Sequence, residues 1–142
     1  MKFMVIVKAS AASEAGAMPS EKLMSDMGRF NEELALAGVL LAADGLHPSA
    51  KGARILYDGE RRTVVAGPFS ESKELVAGFW IIEVGSLEEA IEWMKKAPAP
   101  QDDGSGEIEI RRIFGEEDFG EAMTQQLREM EERVRVQLAA RQ

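Results

Sequence analysis

Cysteine is absent from this chain and histidine occurs once, as His47. Without thiols there are no disulfides, no thiolate metal site and no cysteine nucleophile, and one imidazole is too little for a built-in transition-metal centre. No apolar run approaches the roughly 20 residues of a membrane span. The apolar stretch over residues 3–7 is far too short for the core of a signal sequence. The expected location is therefore the cytoplasm, with no membrane partner. Positive charge is also short: 17 Lys and Arg against 25 Asp and Glu leave a net charge of −8, which repels phosphate backbones and anionic lipid. Arg61-Arg62 and Arg111-Arg112 are too brief to reverse that, so direct nucleic-acid binding is not expected.

Several catalytic signatures are missing as well. There is no P-loop, no G-x-G-x-x-G, no G-x-S-x-G elbow and no H-E-x-x-H. The run Asp102-Asp103-Gly104-Ser105-Gly106-Glu107 has the composition of a calcium loop without its ligand spacing. No cofactor and no metal are expected, and ATP-dependent, serine-hydrolase and zinc chemistry drop out.

What is present fits one domain of 142 residues, long enough to bury roughly two thirds of its unfolded surface. Residues 2–8 read as a strand buried on both faces, and the Ala/Ser/Gly stretch 9–18 as a loop. Ser20 is placed to cap a helix whose Leu23, Met27, Phe30 and Leu34 stripe one face, with Gly38 ending it. Residues 39–46 read as a second strand stopped by His47-Pro48. Asp58-Gly59 predicts a hairpin between residues 53–57 and 60–66; closure at those two residues sets Ile55 across from Arg62 and Leu56 across from Arg61, so neither face is cleanly apolar and the hairpin projects from the main sheet. Residues 77–84 form a further strand. Ser86-x-x-Glu89 is a capping box opening a helix with Leu87, Ile91 and Met94 buried, and residues 107–114 form a last core strand.

From Glu116 to Arg141 the apolar residues Phe119, Met123, Leu127, Met130, Val134 and Leu138 predict one long amphipathic helix. Acids crowd its start and arginines its end, as the helix dipole favours. The expected organisation is a core domain over residues 1–115 and a C-terminal amphipathic helix over 116–142, part of the same domain or of a dimer interface. The order β-α-β, hairpin, β-α-β, helix predicts an α+β fold of the ferredoxin-like type, an antiparallel sheet with helices on one face. The uncovered face would be apolar, which predicts a homodimer.

His47 is the clearest candidate for chemistry, since imidazole titrates near neutrality and a nearby carboxylate such as Asp44 would make it a better base. A strand-end histidine held by backbone or solvent is the plainer alternative. Asp44 and His47 are three apart, so in a regular strand they face opposite ways. In the loop 70–74, Ser70, Glu71, Ser72, Lys73 and Glu74 suit a polar ligand, or else are simply solvated. Phe79-Trp80 either line a pocket or belong to the core. Glu109 and Arg111 share a strand face and present an ion pair towards a cavity or towards solvent.

The segment Gly67-Pro68-Phe69-Ser70-Glu71-Ser72-Lys73-Glu74, followed by Gly78-Phe79-Trp80, resembles the DGPF signature of the YCII-related proteins. Gly45-Leu46-His47-Pro48-Ser49, Glu89-Ala90-Ile91-Glu92-Trp93, Pro98 and Glu109-Ile110-Arg111 extend the resemblance over most of the chain. It implies a ferredoxin-like fold of the dimeric α+β barrel type, related to small-molecule lyase and isomerase folds such as muconolactone isomerase. It also implies that a His and an Asp act as a proton-transfer pair in some members, and that a regulatory context beside alternative sigma factors is common. Ala66 stands where the signature has Asp, and Arg112 where Pro often follows, which weakens an enzymatic reading unless Glu71 or Glu109 substitutes.

Two functions remain. One is a non-catalytic homodimeric module that binds a small molecule or a regulatory protein partner, which Ala66 favours. The other is a cofactor-free lyase or isomerase with His47 as general acid/base and Arg111 or Lys73 stabilising an oxyanion.

Overall fold

The computed structural model describes residues 1–70 and 74–141. It is a mixed α+β structure that divides into two compact units, Met1–Arg112 and Ile113–Gln142.

The first unit is built on a four-stranded sheet in the order β2-β5-β1-β6, comprising β1 (Lys2–Lys8), β2 (Leu40–Gly45), β5 (Val76–Glu83) and β6 (Ile108–Arg112). Every neighbouring pair is antiparallel. Between the strands run a short helix α1 (Ala11–Glu14), α2 (Glu21–Leu36) and α3 (Leu87–Met94). Their starts follow from local chemistry: Ser20 Oγ accepts from the Leu23 amide and Ser86 Oγ from the Glu89 amide, each at 3.1 Å, satisfying donors that a helix leaves orphaned.

Alternation along the strands sorts side chains onto two faces. Phe3, Val5, Trp80 and Ile82 turn to one side and are buried with Phe30 and Leu34 of α2 and Ala90 and Met94 of α3. Phe30 meets Trp80 edge to face at 5.9 Å, and the indole Nε1–H of Trp80 donates to Asn31 Oδ1 at 2.7 Å, so the one polar group of that ring is satisfied. Met4, Ile6, Phe79 and Ile81 turn to the other side, where they are half-buried and outside the core. The continuous apolar run of β1 thus feeds two different environments rather than one core on both faces.

Three local expectations are corrected. Residues 9–18 contain α1, closed by a capping box in which Ser10 and Ser13 satisfy each other's amides. In α3 the buried positions are Ala90 and Met94, while Leu87 and Ile91 stay exposed at 44% and 38%; the helix comes close to the sheet over its smallest side chain. The hairpin β3 (Ala53–Asp58) and β4 (Arg61–Ala66) forms a separate two-stranded sheet, but its register differs. Gly59, at φ +60°, and Glu60 make the turn, because glycine alone takes positive φ without cost, leaving Asp58 paired with Arg61. Ile55 therefore faces Val64 and Tyr57 faces Arg62. One face, carrying Ala53, Ile55, Tyr57, Val64 and Ala66, is consequently far more apolar than the expected pairing allowed.

The second unit is not one helix. A 3-10 segment, Glu116–Ala122, is itself kinked at Gly120, with φ 55° and ψ −132°, and α4 (Gln125–Ala139) starts afresh at Thr124, whose Oγ1 accepts from the Leu127 amide. Phe114 and Phe119 stack at 5.1 Å ahead of that start, and Leu127, Met130, Val134 and Leu138 remain exposed along α4. Among the described residues no helix is long and apolar enough to cross a membrane.

Candidate functional site

At one end of the sheet, three loops converge. The turn after β2 carries Leu46, His47 and Pro48 into a short 3-10 segment, Ser49–Lys51. The loop after β4 carries Gly67, a cis peptide to Pro68, and Phe69. From α1, Glu14 holds the first and through it the second: its carboxylate accepts from the Ser49 amide at 3.0 Å and from Ser49 Oγ, and Ser49 Oγ in turn accepts from the Phe69 amide at 2.9 Å. The Ser49 hydrogen bonds hold the Glu14 carboxyl below its ordinary range, the side-chain bond being the larger cause. Gly67 belongs to the same junction. A Cβ there would overlap the Ser49 carbonyl oxygen, and the Gly67 amide donates to the Gly52 carbonyl at 3.0 Å. The Arg54 guanidinium lies over the Phe69 ring at 3.9 Å, fixing the loop against the base of the hairpin.

Next to this junction lies the outer face of the sheet. Ile6 sits between Phe79 and Glu109, and Met4 between Ile81 and Arg111, so the four apolar side chains form a continuous floor. Asp44, opposite Phe79 on β2, borders it on one side. On the other, Glu109 links two cations, Lys8 Nζ at 3.3 Å and Arg111 Nη1 at 3.5 Å. The floor can hold a flat apolar body, and the opposite-sign edges can hold hydroxyl, amine or carboxylate groups on it.

The expected site residues divide across this geometry. Glu109 and Arg111 come together as an ion pair on the outer face. His47 is exposed and, among the described residues, makes no hydrogen bond or ion pair; Asp44 is exposed and likewise lacks an acid-base partner. Trp80 is only 4% exposed and belongs to the core under α2, on the opposite side of the sheet from Ile6 and Arg111; a lining role for it on the outer face is corrected by that burial. Ser70 and Glu74 are exposed. Glu71, Ser72 and Lys73 lie outside the described residues. Glu14, Ser49 and Lys8 were not singled out by sequence. For Glu14 and Ser49 the only signals were the Ser10-x-x-Ser13 spacing and a serine directly after His-Pro.

A family model described as the YCII-related domain matches residues 1–117. An uncharacterized protein of Rhizobium meliloti (strain 1021) is 29% identical over 93 residues, 66% of this chain and 74% of that protein. Among solved structures, 5-chloro-2-hydroxyhydroquinone dehydrochlorinase from Burkholderia phenoliruptrix AC1100, in complex with 2,5-dihydroxybenzoquinone, is similar at a TM-score of 0.42 and 15% identity, covering 80% of this chain and 94% of that one.

Proposed function

The chain belongs to the YCII-related family, and from that premise we propose that it is a homodimeric module that binds a small organic molecule on the outer face of its sheet without transforming it. The observation that carries this is the floor of Met4, Ile6, Phe79 and Ile81 set between Asp44 and the Lys8–Glu109–Arg111 ion-pair chain. A ligand of matching chemistry is a small aromatic or alicyclic compound with a hydroxyl or carboxylate group at its rim. A second copy covers the rest of that face, since an apolar sheet surface left in water favours association. The finer fold is ferredoxin-like: the order β2-β5-β1-β6, with α2 and α3 as the two crossovers, supports it.

A binding role is favoured over catalysis because the base has no orienting acid. His47 lacks a carboxylate partner among the described residues, and Ala66 occupies the signature's acidic position, paired with Ala53 at the root of the hairpin. One observation favours the second reading, a cofactor-free lyase or isomerase: His47 is exposed and its imidazole is not engaged elsewhere among the described residues, so it is open to a substrate.

A thermal-shift screen of hydroxy acids, lactones and phenols on the wild type, Arg111→Ala and His47→Ala separates the two. Binding predicts a stabilising compound whose effect shrinks in Arg111→Ala and persists in His47→Ala, with no turnover. Turnover abolished by His47→Ala overturns it in favour of catalysis. Silence across the library overturns it in favour of a regulatory protein partner.

A further inference from the structure

The second unit ends in a helix whose apolar stripe stays open to solvent. Along α4, Leu127, Met130, Val134 and Leu138 recur at spacings of three and four, which puts them on one face, and all four are exposed. The face is grooved. Two shallow hollows share Met130 and Val134, one running on past Leu127 and the other past Leu138. A helix of 15 residues is marginal in water on its own and takes its stability from packing such a stripe against something.

Charge identifies the occupant. Among the described residues, Glu131 is the one charged group lining the hollow at the Leu127 end, whereas Arg133 and Arg141 line the hollow at the Leu138 end without an acid. Apart from Arg128, the whole segment repeats this division: Glu129, Glu131 and Glu132 come first, and Arg133, Arg135 and Arg141 follow. The side chains of Arg133 and Arg141 make no hydrogen bond or ion pair among the described residues, and Glu131 reaches only Arg135, at 3.9 Å. An acidic and a basic hollow on one apolar stripe complement each other, so the helix matches a copy of itself running the opposite way. A parallel copy would set acid on acid and base on base.

We propose that α4 packs antiparallel against α4 of a second copy of this chain, so that Leu127 meets the partner's Leu138 and the reverse, an isologous contact. The stripe spans about 16 Å of helix axis from Leu127 to Leu138, and a two-fold placed between Met130 and Val134 overlaps both stripes in full. This contact lies apart from the sheet and does not depend on the proposed binding role.

The chain has no cysteine of its own, which makes the test direct. Leu127→Cys and Leu138→Cys are prepared separately in the full chain, mixed and mildly oxidised. A disulfide needs Cα atoms within about 7 Å, and in the antiparallel pair the two copies of position 127 stand roughly 16 Å apart along the axis. The expected product is a disulfide between the two different variants, formed at least tenfold faster than either variant links to itself. Adding Val134→Glu to both is expected to slow it at least tenfold. Val136→Glu, as exposed as Val134 but on the far side of the helix, is expected to leave the rate unchanged, and far-UV circular dichroism checks that both variants keep the helix. Faster linking of Leu127→Cys to itself would mean a parallel pair and would overturn the proposal. So would no link in any mixture, which would mean that the stripe is covered in another way, or a link indifferent to Val134→Glu, which would mean chance collision. Because the readout is local to α4, a homodimer closed elsewhere does not alter it, and failure here leaves the binding role standing.

Discussion

Replacing Gly67 with alanine probes the loop junction where it is tightest. The φ of Gly67 is outside the left-handed region, so the substitution introduces no backbone strain of its own; the difficulty is space. The new methyl would overlap the carbonyl oxygen of Ser49 and come 3.3 Å from the Ala50 amide nitrogen, and backbone cannot rotate away as a side chain can. Forcing extra volume into such a contact costs about 1–3 kcal/mol. The displacement also endangers the Gly67 amide bond to Gly52, at 3.0 Å, and the Phe69 amide bond to Ser49 Oγ, at 2.9 Å, each worth roughly 0.5–1.5 kcal/mol. The expected loss is about 3 kcal/mol, or a melting temperature lower by roughly 6–12 °C for a chain of this length. Urea unfolding followed by tryptophan fluorescence, with protein concentration held fixed because association shifts the midpoint, measures it. A loss below about 1 kcal/mol would refute the close packing of signature loop on Ser49.

Two further substitutions test neighbouring claims. Gly28→Ala, in the exposed interior of α2 where an added Cβ meets nothing within 4 Å, is expected to stabilise the chain by about 0.5–1 kcal/mol in the same urea titration; a loss would mean that this helix face is covered. Glu14 has a folded pKa lowered by Ser49, so its stabilising contribution is fully present above the ordinary glutamate value and disappears as pH falls through the lowered one. The stability gap between wild type and Glu14→Gln should therefore be widest near pH 7 and close as pH falls below the ordinary glutamate value, and a gap independent of pH would show that the carboxylate does not hold Ser49.

Elements whose cause is local were legible in the sequence. Ser20 and Ser86 cap helices because the amides they satisfy are three residues away, and the stripe of α2 reads correctly at Phe30 and Leu34 because both belong to one face of one helix. Where phase or continuity depends on partners, reading along the chain failed. In α3 the apolar spacing marks a stripe, yet Ala90, which adds little hydrophobic signal, is the residue pressed to the sheet. In the second unit the 4-4-3-4-4 spacing runs through Gly120 and Thr124 as though they were neutral, although one takes positive φ and the other begins a new helix. The hairpin register moved because one glycine sufficed for the turn and placed it at Gly59-Glu60.

The loop junction illustrates the harder limit. Glu14 and Ser49 are 35 residues apart and Ser49 and Phe69 are 20 apart, beyond any periodicity, and each of the three has an ordinary local explanation: a short-helix carboxylate, a turn serine, a loop aromatic. Only their convergence gives them a joint effect, which is to hold the turn bearing His47 against the signature loop. That bears directly on function. The junction commits Ser49, the hydroxyl closest to His47 along the chain, to Glu14 and Phe69, and it uses the Glu14 carboxylate to hold the Ser49 amide and hydroxyl rather than the imidazole. Restoring an acid at Ala66 would place it beside Ala53 on the exposed hairpin ladder. The absence of a local partner for His47 among the described residues is thus a consequence of how the loops are tied.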